Sequence, residues 1–275
     1  METKTIVITG GSDGIGAAAA TQLKAHGHKV IIVGRTENKT RALAERLGAP
    51  YHLADYTKLS DVKRLADELK TYDRIDVLMN NAGGAFNERI ITEDGLEKTF
   101  QVNFFAEFYL TNLLLEKLCQ NKTTVIQTTS VGANLLGTGF DVEDLNNEKN
   151  YSPGKAYGEA KLCNILFTRE LNRRYGEKGI FAVAYEPGIV RSNFGSESMW
   201  FLNFAYHSVL KYLFTISSEK SAYGLIRLAL GKAGEDFVCG ETYSVSGRKF
   251  KVKFKDNDGE IAKRLWEKCE HSFIE

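Results

Sequence analysis

The chain has 275 residues, 43% hydrophobic and 26% charged, the proportions of an ordinary globular protein with room for a sizeable α/β core. Its 36 basic and 35 acidic residues nearly cancel, leaving no strong field to draw nucleic acid or an anionic membrane. Cys119, Cys163, Cys239 and Cys269 are far apart with no C-x-x-C pair, which argues against a disulfide framework or metal site and fits reduced thiols in a cytosol.

The N-terminus lacks a signal-peptide pattern and leads into the strand-like run 5–9, so a cytoplasmic location is expected. Thr9-Gly10-Gly11-Ser12-Asp13-Gly14-Ile15-Gly16 then opens a helix over 15–25 that stops at Gly27. His26 and His28, on either side of Gly27, read as solvated turn residues. A second strand, 29–33, ends in Gly34-Arg35-Thr36, and helical patterns follow at 39–47 and 59–69, the latter with Ser60 and Asp61 suited to its start.

A strand at 77–79 precedes a long helical pattern, 95–119. The strand 124–128, the helix 155–175 and the strand 181–185 come next, and Ser218 opens a helical pattern at 219–230. The apolar stretch before it is interrupted by Asn203, His207, Ser208 and Lys211, which argues against a membrane span. Pro50, Pro153 and Pro187 fall outside all these helices.

Short β-branched and aromatic runs alternating with helices predict an α/β fold, a single-domain Rossmann-type doubly wound parallel β-sheet with helices on both faces. No composition break divides 1–275, so one dinucleotide-binding and catalytic domain is expected. The glycine loop between strand and helix suits a pyrophosphate approached by backbone N–H groups. No carboxylate ends the second strand; Arg35 stands there and can clamp a ribose 2′-phosphate, which favours NADP(H) over NAD(H) despite Glu37 farther on. Tyr157 and Lys161, four apart, share one helix face, where an ammonium would lower the phenol's pKa toward the working range.

Together, Thr9-Gly10-x-x-x-Gly14-Ile15-Gly16, Asn80-Asn81-Ala82-Gly83, Asn103, Ser130, Tyr157-x-x-x-Lys161 and Pro187-Gly188 resemble the short-chain dehydrogenase/reductase family over nearly the whole chain. Gln101-Val102-Asn103, the segments 156–162 and 164–171, the insertion after Ser130 and the tail 261–267 resemble its retinol-dehydrogenase-like and protochlorophyllide-reductase-like branch. The resemblance implies an oxidoreductase passing hydride between nicotinamide and a carbonyl or alcohol. Tyr157 would then be the acid/base, Lys161 its pKa-lowering partner on the nicotinamide ribose, Ser130 the group orienting the oxygen, and Asn103 the holder of a relay water. It also implies a cofactor surface of Gly10, Ser12, Asp13, Gly14, Ile15, Gly16, Arg35, Asn81, Ala82, Gly83, Tyr157, Lys161, Pro187 and Gly188. Asp55 and Tyr56 would flank the adenine, and Val190 would meet the carboxamide.

The insertion 135–153 and the segment 195–216 should border the reacting end. The latter, with Met199, Trp200, Phe201, Phe204, Tyr206 and Tyr212, suits a lid over a small apolar carbonyl or alcohol substrate. A core or homodimer-contact helix is an open alternative, and peripheral membrane contact ranks lowest. Reduction of a carbon–carbon double bond, or a non-catalytic dinucleotide sensor, are the rival functions.

Overall fold

Among the described residues, 2–190 and 216–273, the computed structural model has seven parallel strands in one sheet of order β3-β2-β1-β4-β5-β6-β7. These are β1 (Thr5–Thr9), β2 (Lys29–Gly34), β3 (Tyr51–Leu53), β4 (Val77–Asn80), β5 (Thr124–Thr128), β6 (Phe181–Glu186) and β7 (Thr242–Ser244). The chain winds outward from β1 to β3, then crosses back to β4 and runs the other way. The order therefore reverses between β1 and β4, and a crevice opens beyond their carboxyl ends. In register, Ile6, Val7 and Ile8 of β1 face Val77, Leu78 and Met79 of β4.

Both faces of the sheet are covered, which is why its inner strands read as continuous apolar runs rather than alternating ones. Val7, Ile31, Leu78, Val125 and Ala182 meet α3 (Leu59–Lys70), α5 (Ala106–Leu113), α8 (Pro153–Tyr175) and α10 (Glu260–Phe273). Ile6, Ile8, Ile32, Met79, Ile126 and Val183 meet α1 (Gly14–Ala25) and α9 (Ser218–Leu230). Trp266 of α10 is fully buried against Phe108 and Phe167, at ring separations of 5.2 and 5.5 Å.

Five expected strands form at their expected places; β3 and β7, of three residues each, and the helix α10 lie beyond that reading. Strands this short carry too few residues to display a period. The long helical pattern 95–119 is broken. It begins only at α4 (Lys98–Phe100), widens into a π-helical turn over Gln101–Phe105, resumes as α5, and restarts after Leu114 as α6 (Leu115–Asn121). Gly95 stays outside, in a left-handed turn with φ +78°, and Glu97 caps α4 by accepting from the Thr99 and Phe100 N–H groups.

Local details also differ. Pro153 is not outside its helix but at the first turn of α8, where a missing N–H costs nothing. Ser217, not Ser218, caps α9, and α3 starts after Lys58 with its Leu59 N–H bound by Asp94 rather than by Ser60 or Asp61. His28 is buried, its Nδ1 accepting the Lys4 N–H at 3.2 Å, because β1 and β2 pair directly beside it. The four cysteines are free thiols. No helix among the described residues is long and apolar enough to cross a membrane, and nearly all of 195–216 lies outside them.

Candidate active site

Thr9 closes the crevice between β1 and β4. Its hydroxyl accepts the N–H groups of Asn81 and Ala82 at 2.9 and 3.0 Å, and its carbonyl accepts from Asn81 Nδ2 at 3.1 Å. The two loops approach so closely that side chains are excluded. A Cβ on Gly16 would sit 2.3 Å from the Gly10 carbonyl oxygen, and one on Gly10, which has φ +60°, would sit 2.9 Å from Ala82 Cα. Gly14 begins α1, and Asp13 caps it through Oδ1, while Asp13 Oδ2 pairs with Lys39 at 3.0 Å. The first turn of α1 thus presents backbone donors at a surface built from Gly10, Ser12, Gly14, Ile15 and Gly16 beside Asn81 to Gly83, the geometry that takes an anion.

Arg35 is exposed just beyond β2. Gly34 before it leaves no room for a side chain: a Cβ there would meet Thr40 Oγ1 at 2.2 Å and Ser12 Oγ at 2.7 Å. Asp55 is spent on its own loop, accepting from the Thr57 N–H and hydroxyl at 3.0 and 2.8 Å. Tyr56 differs from a residue flanking an open crevice, because its side chain is buried in the core beneath the loop. Burial raises its phenol far above the usual range.

The second half of the site lies past β5 and β6. Tyr157 and Lys161 sit one turn apart on α8 and are 6% and 3% exposed, so neither is a surface residue. Lys161 Nζ donates to the Thr128 carbonyl at 3.1 Å, and the Thr129 hydroxyl donates to the Lys161 carbonyl at 2.7 Å. Ser130 hydrogen-bonds Tyr157 and accepts the Gly132 N–H at 3.1 Å. A Cβ on Gly132 would press on both, at 3.3 Å from the Tyr157 ring and 3.4 Å from Ser130 Oγ. Ser130 and Tyr157 are brought together, whereas the Lys161 ammonium, one turn along the same helix, is turned to the Thr128 carbonyl.

Asn103 is buried in the π-helical turn. Its Oδ1 accepts the Gly84 N–H at 3.1 Å, and its Nδ2 donates to the Gly84 and Thr99 carbonyls at 2.8 and 3.0 Å. Its side chain therefore pins the loop that follows Asn81 to Gly83. Its own carbonyl accepts Asn164 Nδ2 at 3.0 Å, which ties the turn to α8. Pro187 accepts the Ser221 hydroxyl at 3.0 Å, Gly188 turns with φ +74°, and Val190 bridges to Ile216.

The electrostatics depart from expectation. Burial pushes the Tyr157 phenol up to about 12; the Ser130 hydrogen bond pulls it back, and the nearby Glu186 carboxylate pushes it further. Burial likewise lowers the Lys161 ammonium, which the Glu107 carboxylate supports. The lowering expected of Tyr157 is absent because removal of the phenolate from water dominates, while Lys161 is directed to Thr128. Glu107 itself, fully buried on α5, is pushed up to about 8 by burial, against the pull of Lys161.

Thr9, Glu107, Thr129, Asn164 and Glu186 complete this arrangement, and reading residue types singled out none of them as site residues. Thr9 and Asn164 stood inside recognisable motifs; the two glutamates carried no signal, since a carboxylate in sequence reads as solvated.

The insertion after Ser130 is anchored. Asn134 joins the Lys251 carbonyl and the Lys253 N–H, each at 2.8 Å, and Glu143 pairs with Arg264 and Lys268 of α10. At its start, Gly158, the neighbour of Tyr157, packs so tightly that a Cβ would lie 2.6 Å from Leu136 Cβ. Leu135, Leu136 and Ile189 are exposed apolar side chains around this end.

The sequence profile of the short chain dehydrogenase family matches residues 4–199. The chain is 36% identical over 272 residues to a protein of Streptomyces sp. (strain C5) named for ketoreduction at C-13 of daunorubicin, covering 96% of this chain and 90% of that one. It is 32% identical over 276 residues to human retinol dehydrogenase 13, covering 96% and 82%. A solved structure from Mycobacterium paratuberculosis, of uncharacterised function, superposes with a TM-score of 0.75 at 29% identity, over 98% of this chain and 92% of the other.

Proposed function

The chain belongs to the short chain dehydrogenase family of nicotinamide-dependent oxidoreductases, and from that premise we propose that it is an NADP(H)-dependent reductase of an apolar carbonyl compound. The observation that carries this reading is the hydrogen bond between Ser130 and the buried Tyr157, with Lys161 one turn along α8, beside the crevice where the strand order reverses. The similarity to proteins named as a ketoreductase and a retinol dehydrogenase supports a C=O/CH–OH pair as the reacting group.

The residues present fit a dinucleotide. Gly10 and Gly16 leave no room for a Cβ, and Gly14 opens α1 with φ +52°, so the loop at the N-terminus of α1 offers bare backbone to a pyrophosphate. Ser12, Asp13, Ile15, Asn81, Ala82 and Gly83 would line the same surface, with the loop of Asp55 and Tyr56 at the adenine and Pro187, Gly188 and Val190 at the nicotinamide. Arg35 would pair with a 2′-phosphate, which is the reason for NADP(H) over NAD(H). NADPH, when bound, supplies the hydride.

Tyr157 gives its proton to the carbonyl oxygen as negative charge develops there, and the Ser130 hydroxyl orients and stabilises the same oxygen. Lys161 would hold the nicotinamide ribose hydroxyls and assist the proton's departure from Tyr157. Asn103 keeps the Gly84 loop and α8 in register, and its turn is the route by which a relay water would reach Lys161. The exposed Leu135, Leu136 and Ile189 favour an apolar substrate.

Purified protein should be screened with NADPH and with NADH against aldehydes and ketones of graded size. NADPH oxidation with bulky apolar carbonyls is expected; oxidation of neither nucleotide by any of them would overturn the reading.

A further inference from the structure

Glu186 ends β6 and is 6% exposed. Its Oε1 accepts the Gly188 N–H at 2.8 Å, and its carboxylate also accepts the backbone N–H of Val131, the residue after Ser130. One side chain thus joins the loop after β5 to the loop after β6, and these loops flank Tyr157. Two backbone donors favour an ionised carboxylate, although burial holds Glu186 above the usual range.

Among the described residues no basic side chain is ion-paired with Glu186, and Arg227 of α9 acts on the neighbouring Tyr185. From α8 Glu186 faces Tyr157; on its own strand it acts on Tyr185, whose phenol donates to the Ser221 carbonyl of α9. From the loop after β5 it meets only the Val131 N–H, next to Ser130. Lys161 is directed instead to the Thr128 carbonyl and is supported by Glu107. A buried negative charge beside a phenol disfavours a second negative charge there.

We propose that Glu186 is a positioning residue that braces the Ser130 and Gly188 loops around Tyr157 and, as a buried negative charge facing the phenol, opposes loss of its proton. This deepens the reductase reading and rests on it for its kinetic consequence: the site keeps its proton donor over a wider alkaline range.

The test is a carbon-13 NMR titration of protein labelled at tyrosine Cζ, with the Tyr157 resonance assigned by its loss in Y157F. In E186Q, and in E186M as a second neutral replacement, the midpoint should fall by about 1 pH unit. E186D, which keeps the charge, should stay near the wild type. An unchanged or raised midpoint in a folded neutral variant overturns the proposal. In carbonyl-reduction assays at saturating NADPH, the alkaline limb of kcat should move down with the NMR midpoint in E186Q. A rate loss equal at every pH, with no shift of the resonance, would leave only a brace and overturn the charge. If the resonance moves as expected but the wild type reduces no carbonyl, this inference stands and the reductase reading falls.

Discussion

Lys161 and Thr128 are joined across the boundary between α8 and β5 by a buried bond of 3.1 Å from the ammonium to the carbonyl. Asn164, nearly one turn further along α8, donates to the same carbonyl at 3.3 Å. The end of β5 therefore receives two side chains of α8, and this contact sets the depth at which Tyr157 meets Ser130.

Replacing Tyr157 by Phe removes the proposed proton donor and almost no volume. Carbonyl reduction should fall roughly 10²–10⁴-fold while NADPH still binds. Steady-state rates and nucleotide fluorescence titration measure the two separately; turnover at the wild-type rate would contradict the mechanism.

Arg35→Ala should weaken NADPH roughly 10–100-fold more than NADH, the scale of a lost charge-assisted hydrogen bond. Equal losses for the two nucleotides in parallel titrations would remove the 2′-phosphate role from Arg35.

Gly16→Ala places a methyl 2.3 Å from the Gly10 carbonyl oxygen and 2.8 Å from Asn81 Nδ2. Both nucleotides should be weakened together, with a stability loss of roughly 1–3 kcal/mol. Gly139→Ala, where a Cβ would meet nothing within 4 Å, should stay within about 0.5 kcal/mol of the wild type in urea unfolding.

Glu107 carries a pH signature. Its folded pKa of about 8 lies above the ordinary value of 4.5, so the folded state binds the extra proton. Its contribution is then complete below pH 4.5 and is lost as pH rises toward 8. Across that window, wild-type stability should decline relative to that of Glu107→Gln, as read from urea midpoints at a series of pH values. A difference that does not vary with pH would mean that Glu107 is not held protonated.

Legibility followed the strength of local signals. The five longer strands, the glycine loop and the Tyr157–Lys161 spacing were readable because each repeats or clusters within a few residues. β3 and β7 were too short to show a period, and the π-helical turn at Gln101–Phe105 is tied to α8 by the Asn164 side chain, which donates to the Asn103 carbonyl. Such a bond has no trace in either segment alone. The burial of His28 has the same origin: its partner, Lys4, is remote in sequence and adjacent only once β1 and β2 pair.

By itself the sequence determined the doubly wound sheet, the dinucleotide loop and the residue types of the proposed chemistry, since alternation, glycine spacing and a helical interval are local properties. Tertiary structure alone decided the electrostatics. Packing buried Tyr157 and Lys161 and brought the charges of Glu186 and Glu107 within electrostatic reach of them. The proton affinity of a phenol or an ammonium depends on the water removed and the charges nearby, which only the folded chain defines.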